Sequence, residues 1–140
     1  MKKQAYYSAI IQVIKAGHWI TDSVSAQLKP HGVSEPQYNV LRVLNAAKDQ
    51  PLTVEQISQQ MVQRSSNVTR IIDKLVDKGL VSRQECTTNR RKMDIGITAA
   101  GMNFLAQLDK QVEAFHDPLL NKLSKEELIT LARLIQKLRK

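Results

Sequence analysis

The 140-residue sequence predicts a mainly α fold with a small β-wing. Three observations lead there. Six segments repeat apolar residues at helical spacing, one segment between residues 79 and 98 switches to strict alternation, and capping residues, prolines and glycines punctuate the boundaries.

In chain order, a long first helix covers about residues 5 to 29, with Tyr6, Ile10, Val13, Ile14, Ile20, Val24 and Leu28 at helical spacing; Pro30 and Gly32 stop it. "SEPQYNVLRVLNAAK" opens the second helix with Ser34 and Gln37 in capping-box positions and Pro36 in the first turn, and Tyr38, Leu41, Val43 and Leu44 form its apolar face. Asp49, Gln50 and Pro51 break it. Thr53 and Gln56 cap a short third helix that buries Val54, Ile57 and Met61. The fourth, in "VQRSSNVTRIIDKLVDKG", takes Ser65 or Ser66 as its cap, turns Val68, Ile71, Ile72, Leu75 and Val76 inward, and places Gly79 just past its C-cap. "GLVSRQE" and "KMDIGIT" then alternate as the two strands of a hairpin with the tip "CTTNRR". Thr98 is positioned to cap a fifth helix that buries Phe104, Leu105, Leu108, Val112 and Phe115. Ser124 and Glu127 cap a sixth, with Leu128, Leu131, Leu134, Ile135 and Leu138 apolar.

The formal net charge is +8, and the stretch from Arg64 to Lys92 holds eight cations against three acids, so most of the surplus is focused there. At about 100° per residue, Ser66, Arg70 and Lys74 lie away from the apolar stripe of the fourth helix, with Asn67 and Thr69 on its flanks. Hydroxyl, amide and guanidinium groups on the start of such a helix read base edges. Taken alone, this would be an ordinary solvated amphipathic helix. Preceded by a short helix and a tight turn, it is a helix-turn-helix whose second helix enters the major groove, and the hairpin that follows is a wing. Arg90 and Arg91 at the wing tip suit a narrow minor groove; Lys92 and Arg83 suit phosphates, and Arg64 and Ser65 precede the recognition helix on the same basic face.

"LTVEQISQQMVQRSSNVTRIIDKLVDKGLVSR" followed by "NRRKMDIGITAAG" resembles the winged-helix core of the MarR family of bacterial transcription regulators. The family's wing signature is Asp, any residue, Arg, then an alternating strand ending in Leu or Ile, Thr, two residues and Gly; Arg91, Ile97, Thr98 and Gly101 match it. Asn89 stands where the family usually has Asp, so Arg91 has at best an amide hydrogen bond in place of an ion pair. The resemblance covers nearly the whole chain. It implies a regulator, a repressor released by a small aromatic or lipophilic effector bound between the dimerisation helices and the winged core; the N-terminal segment, broken by Gln12, Lys15 and His18, reads as cytoplasmic. His18, Trp19, Tyr38 and Arg42 are of suitable type near that junction, although Trp19 and Tyr38 also read as core.

The expected organisation is a single domain over residues 1–140, with a winged helix-turn-helix core at 34–101 flanked by N- and C-terminal dimerisation helices at 1–29 and 102–140. Terminal helices outside a compact core cannot bury both flanks alone, which argues for a twofold homodimer on a pseudo-palindromic operator in double-stranded DNA. The competing function is a winged-helix protein-interaction module that reads no sequence. No metalloprotease, phosphate-loop, nucleophile-elbow or paired-cysteine motif is present, and His18, His31 and His116 are far apart, so neither an enzyme nor a cofactor is expected. Cys86 is the sole cysteine and reads as a tolerated strand residue rather than a redox sensor. The amino-terminal segment has no sustained apolar run, and no membrane association is expected.

Overall fold

The computed structural model describes residues 1–62, 66–89 and 91–140. The helices are α1 (Lys2–Leu28), α2 (Glu35–Ala46), α3 (Val54–Gln60), α4 (Val68–Asp77), α5 (Ala99–His116) and α6 (Lys125–Arg139), with the hairpin β1 (Val81–Glu85) and β2 (Met93–Ile97) between α4 and α5. The mainly α fold with one β-wing is therefore as the sequence predicts. The three expected capping boxes all form: Ser34 with Gln37, Thr53 with Gln56, and Ser124 with Glu127. Each exchanges a side-chain and a backbone hydrogen bond across four residues, so local sequence alone can specify it.

One boundary moves. The expected cap of α4 was Ser65 or Ser66, yet the helix begins at Val68 with Asn67 in the N-cap position. Ser65 lies outside the described residues, and Ser66 sits in the turn ahead of the helix. The burial of Val68 fixes the first inward-facing position, so the polar residues before it are spent on the turn.

The core lies where α2, α3, α4 and α5 meet the hairpin, with Leu28, Leu41, Leu44, Ile57, Ile72, Leu75, Ile95 and Leu108 among its fully buried side chains. The strands pair antiparallel, Val81 opposite Ile97 and Arg83 opposite Ile95. Ile95 also exchanges two backbone hydrogen bonds with Leu52, at 2.8 and 2.9 Å, so the segment entering α3 adds a one-residue third strand that the sequence reading did not contain.

The wing is anchored at both ends. At the end of α4, the Leu80 N–H donates to the Leu75 carbonyl and the Gly79 N–H to the Val76 carbonyl, with Gly79 at φ +73°, which is a Schellman motif. At the exit, the Thr98 hydroxyl donates to the Gly79 carbonyl at 2.8 Å and accepts from the Gly101 N–H at 3.0 Å. Gly101 is demanded by contact: a Cβ there would stand 2.1 Å from the Leu80 carbonyl oxygen. The Thr-x-x-Gly end of the wing signature thus closes the hairpin onto the recognition helix.

The terminal helices behave differently. α1 is about 40 Å long at helical rise, and of its 27 residues only Val24 and Leu28 are buried, whereas α6 buries none. Tyr6, Tyr7, Ile11, Ile14, Trp19 and Ile20 on α1, and Leu128, Ile129, Leu131, Leu134 and Leu138 on α6, remain exposed.

Candidate nucleic-acid interface

The apolar and polar faces of α4 divide cleanly in space. Val68, Ile72 and Leu75 are buried, while Ser66, Asn67, Thr69, Arg70 and Lys74 are exposed on the opposite side. Because α4 starts at Val68, Ser66 and Asn67 present their side chains from the preceding turn and Thr69 and Arg70 from the first helical turn. Arg64, also expected here, lies outside the described residues.

Across from this surface stands the wing. Its tip is closed by backbone hydrogen bonds from Cys86 N–H to the Lys92 carbonyl at 3.0 Å and from Lys92 N–H to the Asn89 carbonyl at 3.0 Å. Asn89 does not reach the Arg91 guanidinium; its Oδ1 accepts the Arg91 backbone N–H at 3.0 Å. An Asx turn of this kind orders the tip while leaving its positive charge unneutralised. Arg91 and Lys92 are exposed, and neither takes part in an ion pair among the described residues. Arg90 lies outside them.

Between α3, the start of α4 and the wing runs a cleft of about 830 Å³. Ser66 and Thr69 line one side and Arg91 and Lys92 another, over an apolar floor of Val54, Val68 and Met93. Glu55 of α3 also lines it, beside the neutral Ser58 and Gln59 and in the same cleft as the wing cations, a placement that spacing along the chain does not announce. Its position in the first turn of α3 suits the helix dipole, which explains its helical placement but not its exposure to a polyanion.

Arg83 is placed otherwise than expected. Assigned from sequence to a phosphate, its Nη1 lies 2.7 Å from Asp73 Oδ1 on α4, so its charge is already engaged. A lone acid between Arg70 and Lys74 was the available signal, but nothing in the spacing of residues 73 and 83 indicates that they meet. Lys78 is likewise occupied, donating to the Gly32 carbonyl at 2.6 Å.

Cys86 is partly exposed at the wing tip, its Sγ 3.2 Å from the Thr88 hydroxyl. That hydrogen bond, helped by the Thr88 and Asn89 backbone, holds the thiol below its ordinary range. A lowered pKa means more thiolate at neutral pH, so iodoacetamide should label Cys86 faster at pH 7.5 than it labels the same residue in Thr88→Val. Equal rates in a stopped time course would show that the hydroxyl does not act on the sulfur.

The four residues expected at the effector junction separate into two groups. Tyr38 is 4% exposed, its hydroxyl donates to Asp109 Oδ1, and the exposed Arg42 guanidinium lies 5.7 Å from its ring centroid. Burial first, then the bond to Asp109, pushes the Tyr38 hydroxyl well above its ordinary range. Tyr38 is thus core, tying α2 to α5. Trp19 is half-exposed and packs edge-on against Phe115 at 5.5 Å, and Phe115 in turn meets His116 at 4.9 Å. His18 is exposed on α1. Phe115, read from sequence only as core, is the residue that brings α5 to Trp19.

Among the described residues no group of three or more His, Cys, Asp or Glu is placed to hold a metal, and no helix is long and apolar enough to cross a membrane.

Comparison with known proteins bears directly on this geometry. The MarR family model matches residues 31–92, the segment that carries the helix-turn-helix and the wing tip. The HTH-type transcriptional regulator MhqR of Bacillus subtilis (strain 168) is 30% identical over 118 residues, covering 84% of this chain and 80% of that protein. The chain belongs to the MarR family. Its fold is that of solved MarR-type structures: the S. aureus MepR–DNA complex superposes with a TM-score of 0.80 at 22% identity, covering 94% of this chain and 95% of the other. Bordetella bronchiseptica BpsR, whose DNA binding is regulated by 6-hydroxynicotinic acid, gives 0.79 at 15% identity, covering 92% and 91%. As a MarR-family chain it stands among transcription regulators and not among enzymes.

Proposed function

We propose that this MarR-family chain is a homodimeric, sequence-specific DNA-binding transcription regulator that acts in the cytoplasm. The observation that carries the reading is the pairing of an exposed polar face on α4, from Ser66 to Lys74, with the uncompensated cations of the wing tip across one cleft. The recognition helix supplies base contacts through Arg70, with Ser66, Asn67 and Thr69 beside it, while Lys74, Arg91 and Lys92 supply phosphate and minor-groove contacts. Residues 34–101 form the reading head, and 1–29 with 102–140 form the dimer stem.

The exposed apolar faces of α1 and α6 support the dimer, since a patch of that extent is unusual on a monomer. Twofold symmetry would set two copies of α4 about 34 Å apart, one turn of B-DNA, on a pseudo-palindromic operator. Binding there blocks transcription, and a small aromatic or lipophilic effector releases it. The Trp19–Phe115–His116 cluster, with His18 next to Trp19 on α1, is the effector's site; the regulation of BpsR by an aromatic acid lends this support by analogy.

Arg70→Ala tests the reading. It should weaken operator binding by about 1–3 kcal/mol and relax base preference, because a bidentate base contact is lost. Equal loss of affinity for operator and random DNA would assign Arg70 to the backbone, and no preference for any sequence in the unaltered protein would favour the interaction-module alternative.

A further inference from the structure

Arg83 and Asp73 form the one ion pair found among the described residues, and it crosses from the wing to the recognition helix. Asp73 sits on α4 between Arg70 and Lys74, and its Oδ1 is shielded from solvent without an aligned hydrogen-bond donor, so the guanidinium 2.7 Å away compensates its charge by Coulomb attraction. Arg83 stands opposite Ile95, which is fully buried and bonded to Leu52. Beyond that rung, the described hydrogen bonds of residues 86–92 are internal to the tip. Farther out Met93 packs against the core, but the Arg83–Asp73 pair is the one charged contact among the described residues that ties the hairpin to α4.

We propose that Asp73 and Arg83 are a positioning pair that fixes the wing tip against the recognition helix, so that α4 and the tip meet DNA in a single register. The proposal rests on the DNA-reading function above. It assigns Arg83 a role other than phosphate contact, and the two roles make opposite predictions for its partner. If Arg83 were a phosphate ligand held back by Asp73, Asp73→Asn would release a cation toward DNA and tighten binding. As a positioning pair, the same variant loosens the tip and weakens operator binding despite the gain of one positive charge per subunit.

The experiment compares the full-length protein with Asp73→Asn, Arg83→Gln and the double variant. Without DNA, backbone 15N relaxation of Thr87, Thr88 and Asn89 should show greater motion in all three variants, while amides in α2 and α5 stay as they were. With operator DNA, each single variant should lose roughly three- to fivefold in affinity per subunit, about ten- to twenty-fivefold per dimer, the limit set by the partial exposure of the pair. The double variant should be no weaker than either single one, because both remove the same interaction. Random-sequence DNA should be bound within about twofold of the unaltered protein by Asp73→Asn, since register matters only for specific contacts. Tighter or unchanged operator binding by Asp73→Asn, or tip amides unaffected by either substitution, would overturn the pair. Should the unaltered protein show no sequence preference, the regulator reading falls, and the tip relaxation alone decides: loosened amides support the pair and unmoved ones refute it.

Discussion

Replacing Leu131 and Leu134 together with Asp will leave the protein monomeric at micromolar concentration and without measurable operator affinity. Both side chains are about half exposed on the apolar stripe of α6, in line with Leu128 and Leu138, and no residue of α6 is buried within its own chain. An isolated helix of that length is marginal in water, and in the proposed dimer a partner surface would order it. Two carboxylates per subunit become four across a twofold interface, and each unpaired buried charge costs several kcal/mol, so dimer dissociation should strengthen by at least about a thousandfold. Operator affinity goes with it because each half-site alone supplies only half of the contacts. Sedimentation equilibrium reads the mass, and circular dichroism should show the loss of α6 helicity while the head stays folded. A variant that remains a dimer would mean that α6 is not the interface and that the exposed stripe has another occupant.

Gly101→Ala will lower the melting temperature by roughly 10 °C or more. The added Cβ would sit 2.1 Å from the Leu80 carbonyl oxygen and 2.8 Å from Ile97 Cγ1. Neither neighbour can yield easily: the Leu80 carbonyl already accepts the Thr98 N–H at 3.1 Å, and Leu80 closes the Schellman motif at the end of α4. The first turn of α5 must therefore back away from the hairpin, which exposes Val81 and Leu105 and loosens the Thr98 bonds; overpacking of this severity costs about 3 kcal/mol or more. By contrast Ala100→Gly, one residue away on the exposed side, should cost under about 1 kcal/mol. Differential scanning calorimetry separates the two, and a Gly101→Ala protein melting with the unaltered one would show that the close approach of α5 to Leu80 is not a constraint.

Features written in neighbouring residues were legible from sequence, and features made by distant ones were not. The Ser34–Gln37, Thr53–Gln56 and Ser124–Glu127 boxes each span four residues and formed as read. The alternation of Met93, Ile95 and Ile97 gave the wing for the same reason, and the period of α4 separated Arg70 and Lys74 from the core. The start of α4 was misplaced because Ser65, Ser66 and Asn67 are all good caps, and only the packing of Val68 chooses among them. The bond from Tyr38 to Asp109 joins residues 71 apart, and no periodicity in α2 or α5 announces it. The Leu52–Ile95 bridge and the Arg83–Asp73 pair were hidden in the same way, since both depend on how the hairpin seats on the core. Periodicity showed that α1 and α6 have apolar faces, but that these faces lie uncovered by the chain itself is a fact of the tertiary structure.

The central claim is that the α4 face and the wing read sequence from a dimer, and fluorescence anisotropy tests it most directly. The protein is titrated into a labelled fragment of DNA from upstream of its own gene and into a shuffled fragment of the same composition, at one fixed salt concentration. The proposed dimeric regulator predicts saturable binding at two chains per site with at least about a thousandfold preference for the native sequence. Equal affinity for the two fragments would contradict it, leaving the basic face of the wing as a surface that attracts DNA without reading it.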